Sequence, residues 1–194
     1  ESYRDQLAAF PQTVWVSEEL LRDLADSQTP QGIVAIVQKE EVGPPDFSQG
    51  KFLFLEDVQD PGNVGTMIRT ADAASFTGVI VSDKSADIYS LKTLRSMQGS
   101  HFHLPIYRMP VATFIEEAKK NNLPILVTTL SRDSKDYREL SPLENFALVM
   151  GNEGQGISPI MAESANQLVH IGMKGRAESL NVAVAAGILM FYFS

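Results

Sequence analysis

From Lys51 onward the chain alternates short, almost wholly apolar runs with stretches whose apolar residues recur every three or four positions. "KFLFLE" (51–56), "GVIVS" (78–82), "LPIYR" (104–108), "PILVTT" (124–129), "FALVM" (146–150) and "QLVHI" (167–171) have strand length and no in-out alternation, as strands buried on both faces do. Between them, residues 63–75 put Val64, Met67, Ile68, Ala71 and Ala74 on one helical face, with Asn63 as a plausible N-cap. Further helices are expected over 90–97, over 111–121, just after Ser158, and from an N-cap at Ser179 to the end. Strands alternating with helices predict an α/β fold, a mostly parallel sheet covered by helices on both faces. Ligands of such sheets sit beyond the carboxyl ends of the strands.

Upstream the pattern changes. Ser17 followed by "EELLRDLAD" predicts a capped helix with Leu20, Leu21 and Leu24 inward, and the β-branched "GIVAIVQ" (32–38) predicts a strand. "KEEVGPPDFSQG" (39–50), with its charges, Pro-Pro pair and two glycines, reads as a linker, so a boundary is placed near residue 45 between units 1–45 and 46–194.

The 194 residues are 44% hydrophobic and 21% charged, which suits a packed core. With no cysteine, disulfides, zinc ribbons and thiol nucleophiles are excluded together, and a reducing cytoplasm is the expected location. The first residue is Glu1 and no leader pattern follows, so none is expected. The longest apolar run, residues 182–193, is too short to span a bilayer and reads as a buried helix or an interface. A net charge of -8 argues against broad nucleic-acid binding, yet Lys84, Lys92, Arg95, His101, His103 and Arg108 concentrate in one stretch that could form a local basic patch. His101 and His103 lack companions for a metal site, His170 reads as a structural histidine, and Glu56, Asp57 and Asp60 lack the phosphate loop that would accompany magnesium, so no metal is expected.

Dinucleotide, P-loop and nucleophile-elbow fingerprints are absent, which disfavours a nucleotide-binding oxidoreductase. Three other loops, each after a predicted strand, carry the polar residues. In "EDVQDPGNVGTMIRTADA" (56–73) Arg69 lies off the apolar stripe; by position alone it is either a solvated arginine or a functional one. "VMGNEGQGIS" (149–158) is either a plain turn or a wall against a ligand that is not a phosphate, since Glu153 would repel one. "IGMKGRAESLNVAVAAG" (171–187) opens a helix with Asn181, an amide that needs partners if buried and that has no capping duty once Ser179 is the cap.

In order and spacing these loops resemble the three motifs of the SpoU, or TrmH-type, branch of the SPOUT methyltransferases, over residues 51–194. The resemblance implies methyl transfer from S-adenosylmethionine to a ribose 2'-hydroxyl of RNA, a C-terminal deep trefoil knot, and a homodimer whose active site uses both subunits. It implies catalytic roles for Asn63, Arg69, Glu153, Ser179 and Asn181, and cofactor binding by Thr129, Leu130, Gly151, Gly156, Ile171, Met173 and Leu180. One residue departs from the pattern: Gly172 stands where the family commonly has proline. Residues 1–45, above all "TPQGIVAIVQ", look like a truncated remnant of a small α/β, ribosomal-protein-like substrate-binding domain, which favours ribosomal over transfer RNA as the partner. A catalytically inactive RNA-binding or assembly factor on the same fold is the competing reading, and the presence of all five polar motif residues speaks against it.

A guanidinium is a poor base because it keeps its proton at biological pH. Arg69 is therefore expected to bind the RNA phosphate and stabilise the developing alkoxide.

Overall fold

The computed structural model describes residues 3–8, 10–25, 29–39 and 42–194. The chain divides into two compact units, Glu1–Glu41 and Val42–Ser194.

In the first unit, α1 spans Tyr3–Ala8 and α2 spans Glu18–Ala25. Ser17 starts α2 as expected, its Oγ accepting from the Leu20 N–H at 3.2 Å. The inward face does not form: Leu20 and Leu24 are exposed. Nor does "GIVAIVQ" form a strand, because it pairs with no segment among the described residues, and Ile36 is fully exposed. Asp26, at the end of the expected helix, and Glu40 and Glu41, within the expected linker, lie outside the described residues.

The second unit is a seven-stranded sheet: β1 Lys51–Leu55, β2 Gly78–Val81, β3 Ile106–Arg108, β4 Ile125–Thr128, β5 Lys135–Asp136, β6 Phe146–Met150 and β7 Gln167–His170. Their order is β3-β2-β1-β6-β4-β7-β5, and every neighbouring pair is parallel. The helices are α3 Pro61–Ala73, α4 Leu91–Met97, α5 Val111–Lys120, α6 Pro159–Glu163 and α7 Val182–Phe193.

Burial explains why the strands read as unbroken apolar runs. Leu53, Leu55, Val79, Val81, Leu148 and Met150 pack with α3, α4 and α7 on one face, while Phe52, Phe54, Ile80, Ala147 and Val149 pack with α5 and α6 on the other. Phe47, just upstream of β1, closes the second layer with its ring edge-on to Phe52 and Phe114. The strand β5 was not anticipated, since two residues carry no periodicity.

Two helix starts differ from expectation. Asp60, not Asn63, caps α3, its Oδ1 accepting from the Asn63 N–H at 2.8 Å with Pro61 in the first turn. Asn181, not Ser179, caps α7, its Oδ1 accepting from Ala183 N–H at 2.9 Å and Val184 N–H at 3.3 Å. The sequence-based claim that Asn181 has no capping duty is therefore wrong.

Candidate active site

Parallel strands end their backbones side by side, and the loops that leave those ends enclose the space above them. Here the loops after β4, β6 and β7, with the first turns of α7, enclose a cavity of about 290 Å³. Thr129, Leu130, Gly151, Gly156, Ile171, Met173 and Leu180 all line it, as do Glu153, Ser179 and Asn181.

The 151–158 loop folds on itself. Asn152 and Gly156 exchange two backbone hydrogen bonds of 3.0 and 2.9 Å, and the Asn152 Oδ1 accepts from the Gly154 and Gln155 N–H groups. Gly156 takes a φ of 70°, and a Cβ on Gly151 would lie 2.6 Å from the Gly156 carbonyl, so both glycines are needed for closure. The Asn152 Nδ2 donates to Asp57 O at 2.8 Å, tying this loop to the one after β1. Asn152 is a cavity residue that the sequence did not single out, although an amide in a glycine turn was the available signal.

Glu153 makes a second tie between the same loops. Its carboxylate accepts from the Asn63 Nδ2 at 3.0 Å and from the Gln59 and Asp60 N–H groups, each at 3.3 Å. The Asn63 Oδ1 in turn accepts from the Asn181 Nδ2 at 3.0 Å. This chain fixes both amide orientations: only an NH2 can face the carboxylate, which leaves the Asn63 oxygen for Asn181. One residue from each motif loop thus joins a single network. Burial works to raise the Glu153 carboxyl pKa, and these hydrogen bonds outweigh it and hold it below the ordinary value.

Two predicted residues stand apart from that network. Ser179 lines the cavity, and its hydroxyl has no partner among the described residues. Arg69 is exposed on α3, does not line the cavity and likewise has no partner among the described residues. From Asn63 it is six residues, about 9 Å along the helix axis.

The remaining polar positions have structural duties. Glu56 is buried and accepts from Ser158 N–H, Asp57 binds Ser82 Oγ, and Asp60 is a cap salt-bridged to Lys92 at 2.8 Å. Among the described residues no three His, Cys, Asp or Glu side chains group as metal ligands. The stretch whose charges left a local basic patch open is largely occupied: Lys84 pairs with Asp57, His103 with Asp72, and Arg108 donates to the backbone carbonyls of Ser82, Asp83 and Ala86. His170 is hydrogen-bonded to Ser134 Oγ at 3.0 Å, and it also lines the cavity.

A family model described as "SpoU rRNA Methylase family" matches residues 50–191. The chain belongs to that family. It is 40% identical over 181 residues, 93% of this chain and 72% of the relative, to the 23S rRNA (guanosine(2553)-2'-O)-methyltransferase RlmP of Bacillus subtilis. Among solved structures it resembles an AdoMet-bound rRNA methyltransferase from Sinorhizobium meliloti, at TM-score 0.83, 35% identity, 91% of this chain and 69% of that one. It also resembles the SpoU methyltransferase AviRb from Streptomyces viridochromogenes in complex with AdoMet, at TM-score 0.83, 30% identity, 99% of this chain and 77% of that one. The family membership inferred from the three loops is thus correct.

Proposed function

We propose that this SpoU-family chain uses S-adenosylmethionine to methylate a ribose 2'-hydroxyl in 23S ribosomal RNA. The observation that carries this reading is the cavity at the ends of β4, β6 and β7. Leu130, Ile171, Met173 and Leu180 give it apolar walls, and among the described residues no Lys or Arg lines it. A site with no lysine or arginine among its described lining residues and with Glu153 at its rim suits an adenosyl group and an amino-acid end better than a phosphate.

Bound there, the cofactor supplies a methyl group activated on a sulfonium. Thr129, Leu130, Gly151, Gly156, Ile171, Met173 and Leu180 hold it. Glu153, Asn63 and Asn181 fix the three loops relative to one another, so that the cavity is formed before ligand arrives and less ordering remains to be done on binding. Ser179 offers an uncommitted hydroxyl to the substrate. Arg69 binds the RNA phosphate beside the target ribose and stabilises the alkoxide that forms as the hydroxyl passes its proton to solvent water. The requirement for a 2'-hydroxyl restricts the substrate to RNA.

Arg69 reaches the cavity from a second copy in a homodimer. Its exposure supports this, as does the packing of its neighbour Thr70 against Gly187 on α7, beside the exposed Ile188. The return of α7 after β7 to pack on α3 and the β6 face of the sheet supports a deep trefoil knot in the C-terminal half. Residues 1–45 are read as part of a small RNA-binding domain, because Trp15, Leu24 and Ile36 expose apolar surface of the kind a fuller domain buries. The cytoplasm, where ribosomal RNA is modified, is the proposed location.

The test is methylation of 23S rRNA taken from cells lacking the gene. Wild-type protein should add a methyl at one ribose, read as resistance to alkaline cleavage, and the guanosine named for the Bacillus subtilis relative is the first position to inspect. Arg69→Ala should lose most turnover at saturating RNA. If wild-type protein binds S-adenosylhomocysteine yet methylates neither 23S rRNA nor tRNA, the enzyme reading is overturned in favour of an inert RNA-binding protein.

A further inference from the structure

Gly172 lies between Ile171 and Met173, two residues of the cavity wall, and its backbone meets a carboxylate from outside the three motif loops. The Gly172 N–H donates to Asp136 Oδ2 at 3.3 Å. Asp136 ends the short strand β5, in register with His170 on β7. Its carboxylate is held by Arg138 in a bidentate pair, Nε to Oδ1 at 2.7 Å and a terminal nitrogen to Oδ2 at 2.8 Å, with a further bond from the Arg138 N–H at 3.1 Å. The Asp136 side chain keeps only 13% of its surface exposed. The next segment is anchored to α7, where the Tyr192 hydroxyl donates to Leu140 O at 3.0 Å and the Tyr137 and Tyr192 rings meet edge-on.

We propose that Asp136 is a positioning residue for the cofactor pocket: clamped by Arg138, it holds the Gly172 backbone and so fixes where Ile171 and Met173 stand. The proposal rests on the reading of the cavity as the S-adenosylmethionine site. Position 172 serves this contact in two ways. It supplies an N–H, which proline would lack, and it leaves room, since a Cβ there would sit 2.7 Å from Asp136 Oδ2. Its φ is not left-handed, so the backbone sign itself does not demand glycine. The Arg138 guanidinium also keeps the Asp136 carboxyl well below the usual carboxylate range, so the contact is charged throughout neutral pH.

The experiment is calorimetric titration of S-adenosylhomocysteine into four full-length proteins: wild type, Asp136→Ala, Gly172→Pro, and the double variant. Asp136→Ala should weaken binding roughly three- to tenfold, the worth of one hydrogen bond of ordinary net strength. With RNA saturating, the KM for S-adenosylmethionine should rise by a similar factor while kcat stays within about twofold. Gly172→Pro alone should also weaken binding, because the ring meets the carboxylate. In the Asp136→Ala background the same proline should instead improve binding, because the clash is gone, no N–H is left unpaired and the turn is stiffened. That change of sign separates positioning from general destabilisation, which would make the double variant worse than either single one. Unchanged affinity in Asp136→Ala, or a double variant no tighter than Asp136→Ala, overturns the proposal. Wild-type protein that fails to bind S-adenosylhomocysteine overturns the reading of the cavity itself.

Discussion

Glu153 shows how one carboxylate serves a pocket without facing its ligand's charge. It draws Asn63 and the backbone after β1 toward the 151–158 loop, and those hydrogen bonds leave its folded pKa depressed despite partial burial. A depressed folded pKa adds stability above the unfolded value, and that share is lost as pH falls through the carboxylate range toward the folded value. Wild-type protein should therefore lose stability on acidification more steeply than Glu153→Gln, and near neutral pH the variant should be less stable by about 1 kcal/mol. Denaturant midpoints at a series of pH values decide this; identical acid slopes would remove Glu153 from the account. The same residues show what single positions reveal. Asn63, Glu153 and Asn181 are identifiable as unusual in the sequence, yet their bonds to one another join positions 90 and 118 residues apart and leave no local mark. The cap of α7 differs from the sequence expectation for a related reason. Ser179 and Asn181 are both competent caps, and what distinguishes them is Asn63 on another helix, which engages the Asn181 amide nitrogen while its oxygen caps α7.

Helices and strands were legible where burial is two-sided and long. The strands β1, β2, β4 and β6 declare themselves because both faces are covered, and α3 and α5 because each buries one stripe. The residues "GIVAIVQ" have the same composition as those strands but no paired edge among the described residues, and β propensity without a partner does not make a strand. The strand β5 is the reverse case, two residues made into a strand by β7 alone, and with it Asp136 stayed invisible. Within α3, Gly65 sets two element-level effects against each other. Alanine is the better helix former by up to about 1 kcal/mol. A Cβ at Gly65, however, would lie 2.5 Å from the Thr93 carbonyl oxygen and 2.6 Å from the Ser96 Cβ on α4, and backbone cannot swing aside as a side-chain tip can. Packing should win, so Gly65→Ala is expected to destabilise the second unit by about 1–3 kcal/mol, measured by thermal or denaturant unfolding. A stabilised variant would mean that α3 and α4 separate more freely than their close approach suggests.

At the scale of the whole molecule, α7 is apolar nearly all round, as its sequence suggested, but only one side is spent on the core. Ala183, Ala186, Leu189, Met190 and Phe193 are buried, while Val184, Ile188 and Phe191 are 53%, 37% and 59% exposed at spacings of four and three residues. In an isolated chain, changing an exposed residue such as Phe191 to glutamate should alter stability by no more than about 0.5 kcal/mol. If the stripe instead packs on a second copy, each dimer places two glutamates in its apolar contact, and association should fail. Light scattering should therefore give twice the chain mass for wild type and the single-chain mass for Phe191→Glu, with the monomeric variant still folded and without methyltransferase activity. The lost activity matters most, because among the described residues Arg69 does not line the cavity of its own chain. If the partner supplies it, mixing Arg69→Ala with Asn181→Ala, each inactive alone, should restore turnover, approaching about a quarter of the wild-type value when subunits exchange freely. Restoration requires that one site take Arg69 from one chain and Asn181 from the other. A dimer that stays inactive after exchange would place both residues in the same chain's site and require α3 to move when RNA binds.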